Sequence, residues 1–106
     1  MPRPKIESVY QRQLCDRLYE MFPDCFILRN NPDEYQGIPD LLILFEDKWA
    51  MLEVKFSQAS PVQPNQEHYV EKFGEMSFAS FIYPENEEEV LQELLVRFGA
   101  YASSIR

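Results

Sequence analysis

The chain has 106 residues, 45% of them apolar, which is enough for one core and one domain over residues 1–106 but not for two. No apolar run approaches the length of a membrane span, and the polar opening Met1-Pro2-Arg3-Pro4-Lys5 lacks the apolar stretch of a secretory signal, so the expected compartment is the cytoplasm. A net charge of −8, from 18 acidic against 10 basic residues, excludes a broad basic surface; any polyanion would have to be met by a few concentrated cations, by bound metal ions or by a second subunit.

Residues 5–22 read as an amphipathic helix, because Tyr10, Leu14, Leu18, Met21 and Phe22 recur at helical spacing, and Pro23-Asp24 ends it. Cys25–Leu28 is a short apolar strand, and the polar stretch from Arg29 to Gly37 a loop. Leu41–Phe45 is apolar throughout, as a strand buried on both faces would be. Glu46-Asp47-Lys48 is a turn, Trp49–Phe56 a third strand, and Ser57–Pro64 a loop with two prolines. A helix over 65–74 with Gly74 at or near its end follows, then an aromatic fourth strand over Ser77–Tyr83, expected to be central. Asn86 is positioned as the N-cap of a last helix running to Phe98, with Gly99 as its stop, and Glu87-Glu88-Glu89 occupies the first turn, where acids are favourable. The order α-β-β-β-α-β-α, with a tight turn between the middle strands and a helical crossover to the last, predicts an α/β fold: a mixed four-stranded sheet flanked by helices. Cys15 and Cys25 make no disulfide framework and are read as reduced core residues. His68 is read as a helix-surface residue, and Trp49 and the phenylalanines as core.

Three polar residues interrupt the apolar strands. Glu53 and Lys55 are two apart and therefore share a face. Folding the hairpin about Glu46-Asp47 sets Phe45 against Lys48 and, counting outward, Asp40 against Glu53, with Cβ atoms roughly 5 Å apart. A slip of one residue would break this pairing. Two carboxylates so close repel, and a divalent cation removes the conflict; oxygen ligands of this kind suit Mg2+ or Mn2+. Such a site can polarise a phosphate, while Lys55 serves the attacking water or the charge of the transition state. The carbonyl of Val54, between the two side chains, is a further candidate ligand. Gly37 permits a positive φ or a close backbone approach, and Ile38-Pro39 stiffens the way into the strand.

The run Gly37-Ile38-Pro39-Asp40-Leu41-Leu42, followed by Glu53-Val54-Lys55, resembles the signature of PD-(D/E)XK nucleases, most of all the small phage and bacterial VRR-NUC-type nucleases. The resemblance covers most of the chain, since the order of elements agrees. It implies a restriction-endonuclease-like core and a Mg2+- or Mn2+-dependent endonuclease acting on DNA, with branched, flapped or junction DNA as substrate, in a homodimer in a bacterial or phage-infected cell. It also implies a glutamate on the first helix. Of Glu7 and Glu20, Glu7 lies roughly 20° from the centre of the apolar stripe and Glu20 roughly 120° away, so Glu7 is the choice as a direct or water-mediated metal ligand, with Gln11 beside it. A glutamine after the E-x-K strand is implied as well; Gln66 fits better than Gln63, and would hydrogen-bond a metal ligand or a phosphate. Arg29-Asn30 resembles an element that precedes G-x-P-D in relatives, and is expected at the DNA backbone. The competing expectation is a non-catalytic module of the same fold, or an acidic mimic of DNA.

Overall fold

The structure is a computed structural model that describes residues 5–31 and 34–99, with side chains from residue 7 onward. Its elements are α1 (Lys5–Met21), β1 (Phe26–Arg29), β2 (Leu41–Phe45), β3 (Lys48–Val54), α2 (Pro64–Met76), β4 (Phe78–Ile82) and α3 (Glu87–Phe98). The strands form one sheet in the order β1-β2-β3-β4; β1 and β2, and β2 and β3, are antiparallel, while β3 and β4 are parallel across the α2 crossover. Pro32 and Asp33 of the polar loop, and the opening residues Met1–Pro4, lie outside the described residues.

The β2–β3 hairpin turns on Glu46 and Asp47 alone, with Phe45 paired to Lys48 and Leu41 to Leu52. Two-residue hairpin loops require a positive φ, and Glu46 supplies it at 55°. Lys48 therefore belongs to the strand rather than the turn, and the strand ends at Val54 rather than Phe56. One face of the sheet carries Ile27, Leu41, Ile43, Phe45, Ala50, Leu52, Val54 and Ile82 by strand alternation. It packs on Leu14 and Leu18 of α1, on Phe22 just beyond that helix, and on Leu91, Leu94 and Phe98 of α3. Phe22, Phe45 and Phe98 meet pairwise at 5.2–5.5 Å between ring centres, the offset and edge contacts that aromatic quadrupoles prefer. Cys15 and Cys25 are free and buried in this core.

The opposite face is covered by α2 over β3 and β4, where Trp49 meets Phe73 edge to face. The β1–β2 half of that face is open. Leu44 is exposed and Leu42 half-buried, so β2 is not buried on both faces; Phe26 and Leu28 are exposed too, as is Phe56, which corrects the reading of the phenylalanines as core. The expected central place of β4 is also corrected: it pairs only with β3 among the described strands, and its apolar residues are covered by α2 and α3 rather than by a second neighbour strand. Gly74 lies near the end of α2, as expected, and the helix runs on to Met76 before the N–H of Ser77 closes on the carbonyl of Phe73. One helical glycine costs only about 1 kcal/mol relative to alanine, and the packed Phe73 just before it carries the helix through. Asn86 holds the N-cap position but makes no side-chain cap; its Oδ1 accepts from the N–H of Tyr83 and its Nδ2 donates to the carbonyl of Phe81, tying α3 to the end of β4. Gly99 ends α3 in the left-handed conformation, as expected.

Candidate active site

Extending the hairpin register by one pair brings Asp40 opposite Glu53. Each carboxylate is held by the backbone of the other strand. Asp40 Oδ2 accepts the N–H of Val54 at 2.8 Å, and Glu53 Oε1 accepts the N–H of Asp40 at 3.2 Å. Asp40, Glu53 and Lys55 are 7%, 3% and 8% exposed, levels at which charged residues are rarely found without a partner. Lys55 follows the last residue of β3, yet it stays in the frame because its N–H donates to the carbonyl of Ile82.

Gln66 joins these groups. It lies in the first turn of α2, which Pro64 opens at a position where no amide hydrogen is needed. Its Nε2 donates to Glu53 Oε2 at 2.9 Å, and its Oε1 accepts from Lys55 Nζ at 2.8 Å and from the N–H of Gln63 at 3.0 Å. Lys55 Nζ also donates to the carbonyl of Pro61 at 2.9 Å and stands 3.7 Å from Glu53 Oε2. One amide thus fixes a carboxylate, an ammonium and the start of a helix together. No buried side-chain nitrogen or oxygen among the described residues lacks a hydrogen bond.

The loop before Asp40 is clamped from two sides. Asn30 donates its amide hydrogen to the carbonyl of Pro39 at 2.7 Å, and its N–H to the carbonyl of Asp40 at 2.9 Å. Its side chain therefore ties β1 to the aspartate loop. From the other side Asn65 donates to the carbonyl of Gln36 at 2.9 Å. Gly37, at φ +92°, is required there, because a Cβ would stand 2.5 Å from Asn65 Cγ. Sequence reasoning assigned Asn65 nothing; its signal was a second amide beside Gln66 in the first turn of α2. The part taken by the carbonyl of Pro61 has no side-chain signal at all.

Arg29 is exposed at the end of β1, on the face toward α1, near Cys15; burial pushes the Cys15 thiol up, and Arg29 pulls against that shift. Glu7 is half-buried in the first turn of α1, and Gln11 one turn on is buried. Tyr10, on the same helix, reaches Glu87 at the start of α3, so the opening of α1 lies toward the end of the sheet that carries Asp40 and Glu53. Among the described residues no three acid, histidine or cysteine side chains are gathered into a ready metal cage. The acid pair is Asp40 and Glu53. Two hard carboxylates fit Mg2+ or Mn2+, since Mg2+ commonly uses one or two protein carboxylates and completes its shell with water and phosphate oxygens.

No protein-family model matches the chain, and no curated protein matches it significantly. Two solved structures are similar. A VRR_NUC domain superposes with a TM-score of 0.61 at 22% identity, over 76% of this chain and 85% of that one. Hjc of Archaeoglobus fulgidus, a Holliday junction resolvase, superposes with a TM-score of 0.51 at 14% identity, over 72% of this chain and 67% of its own. The mixed sheet, its flanking helices and these two likenesses give one conclusion: the chain has the fold shared by the VRR_NUC domain and Hjc.

Proposed function

We propose that this protein is a Mg2+- or Mn2+-dependent endonuclease that hydrolyses DNA phosphodiester bonds, selects branched, flapped or junction DNA, and acts as a homodimer. The observation that supports this most is the junction of two buried carboxylates and a buried lysine through Gln66 on a nuclease fold. Asp40 and Glu53, with Glu7 and the carbonyl of Val54, would hold the metal ion. When bound, such an ion supplies charge neutralisation and polarises the phosphate. Lys55 donates a hydrogen bond from its ammonium to the attacking water or to the oxygen on which charge builds. Gln66 keeps that ammonium and the Glu53 carboxylate aimed together, and Arg29 with Asn30 contacts the nucleic-acid backbone. A dimer would pool the sparse basic residues of an acidic chain. The second reading, a non-catalytic module or acidic mimic of DNA, is favoured by the net charge of −8.

The test is cleavage of plasmid, flap and four-way-junction DNA with Mg2+, Mn2+ or EDTA, beside Asp40→Ala and Lys55→Ala. Metal-dependent cutting that disappears in both variants is the expected result. Cutting that survives both variants would sink the site, and no cutting together with tight binding to a DNA-binding protein would favour mimicry.

A further inference from the structure

A cavity of about 180 Å3 opens on the side of Lys55 that the acid pair does not occupy, bounded by Lys55, Ser57, Ser60, Phe81 and Tyr83. Its walls belong to the same structure that builds the site. Phe81 is the register partner of Glu53, and Tyr83 follows two residues on, so both rings rise from the sheet face that carries Glu53 and Lys55. The opposite wall is a fixed turn. The N–H of Ser60 donates to the carbonyl of Ser57, the N–H of Ser57 to Ser60 Oγ, the N–H of Ala59 to Ser57 Oγ, and the N–H of Gln58 to Glu85. Both serine oxygens accept backbone hydrogens, which leaves each hydroxyl hydrogen to donate. Lys55 Nζ links this wall to the site through the carbonyl of Pro61.

We propose that this cavity receives one unpaired nucleobase of the strand whose phosphate lies at Lys55. The inference rests on the nuclease reading and gives structure selectivity a physical source. The volume is below the roughly 300–1,000 Å3 of sites that enclose a whole drug-sized molecule, so it suits a single ring system. A base within a duplex can enter only by leaving its stack and its partner, whereas a flap or a branch point presents bases already unpaired. The wall chemistry suits a base better than a phosphate: two aromatic rings, Val62, the amide of Gln58 and three hydroxyls, with Lys55 the single cation of the lining. Stacking on aromatic rings tolerates any base and needs no field of cations, which matters in a chain of net charge −8.

The test is a cycle between protein and substrate. A flap oligonucleotide with each nucleotide beside the cut bond replaced in turn by an abasic residue is cleaved by the wild type, Tyr83→Ala and Tyr83→Phe. Stacking is worth about 1–3 kcal/mol per base, so one abasic position is expected to lower wild-type kcat/KM about tenfold or more. Tyr83→Ala is expected to lose a similar factor on the intact flap and little more on the abasic one, and Tyr83→Phe to behave as wild type. Equal wild-type rates on every abasic flap would overturn the proposal, and so would undiminished sensitivity to base removal in Tyr83→Ala. If no flap is cut with either metal, the nuclease reading falls first. The cavity is then read by titrating the same flap labelled with 2-aminopurine: a fluorescence change in the wild type that is lost in Tyr83→Ala upholds the base pocket, and no change refutes it.

Discussion

Gly37 and Asn65 are two residues far apart in sequence that share one small space. At φ +92° Gly37 stands where a side chain is strained on its own account, and a Cβ there would meet Asn65 Cγ at 2.5 Å. Asn65 cannot swing away without giving up the carbonyl of Gln36, which it holds at 2.9 Å. Gly37→Ala is therefore expected to lower stability by about 1–3 kcal/mol, part from the backbone and part from the clash. Asn65→Ala alone removes one hydrogen bond, worth about 1 kcal/mol. In the double variant the contacts with the amide group disappear while the approach to Cβ at 2.9 Å and the backbone strain stay, so the two costs are expected to fall short of additivity by about 0.5 kcal/mol or more, read by urea denaturation of all four proteins. Strict additivity would mean that the two residues do not meet in solution. How the chain encodes this clamp also shows the limits of sequence reading. The Asp40–Glu53 pairing was legible, because strand alternation and a two-residue turn are enough to count it out. Asn65 and Asn30 were not, because their work is done on backbone carbonyls, and a carbonyl acceptor carries no mark in the sequence.

At the scale of elements, α1 and α3 lie on the same side of the sheet and are joined by a polar clasp at the site end as well as by the core. Tyr10 Oη donates to Glu87 Oε1 at 2.7 Å, while Arg17 hydrogen-bonds Glu87 and pairs with Glu88 at 2.7 Å. The run Glu87-Glu88-Glu89 was read as a helix-dipole feature; two of its three acids also serve as partners for α1, a role that local sequence cannot reveal. Burial first, and then the bond and the charge of Glu87, push the Tyr10 hydroxyl well above the ordinary tyrosine range. The protonated tyrosine is thus favoured in the folded state. Its contribution is complete below the unfolded value near 10, and declines as pH rises above it because the unfolded chain then releases a proton that the folded chain keeps. Tyr10→Phe is expected to be less stable by about 1 kcal/mol at neutral pH. The gap in melting temperature between the two proteins is expected to narrow steadily above about pH 10. A gap unchanged up to pH 11 would show that Tyr10 acts through packing alone. The element order, the hairpin and the core faces of α1 and α3 were all legible from periodicity. The edge position of β4 was not, since a strand covered by helices on both faces has the composition of a central one.

At the scale of the whole molecule, 18 acidic residues offer divalent ions many weak places to gather, and the buried pair Asp40–Glu53 offers one of a different kind. The two can be separated by stability rather than by activity. An ion that binds only the folded site stabilises it by mass action, about 2.7 kcal/mol at one hundred times its dissociation constant. For a domain near this size each kcal/mol moves the melting temperature by about 4–8 °C. Mn2+ and Mg2+ are thus expected to raise the wild-type melting temperature by several degrees over that in EDTA, saturably. Asp40→Asn is the discriminating variant. Its Oδ1 can still accept the N–H of Val54, so the loop keeps its anchor, while one of two adjoining buried charges is removed. In EDTA this variant is expected to melt at or above the wild-type temperature, because the mutual repulsion of the acid pair is relieved. With metal it is expected to gain little, because the pair that holds the ion is broken. The sign of the substitution therefore reverses between EDTA and metal, which no change in general packing would produce. A metal-induced rise of equal size in wild type and Asp40→Asn would assign the ions to the diffuse acidic surface, and would remove the metal from the proposed chemistry at Asp40 and Glu53.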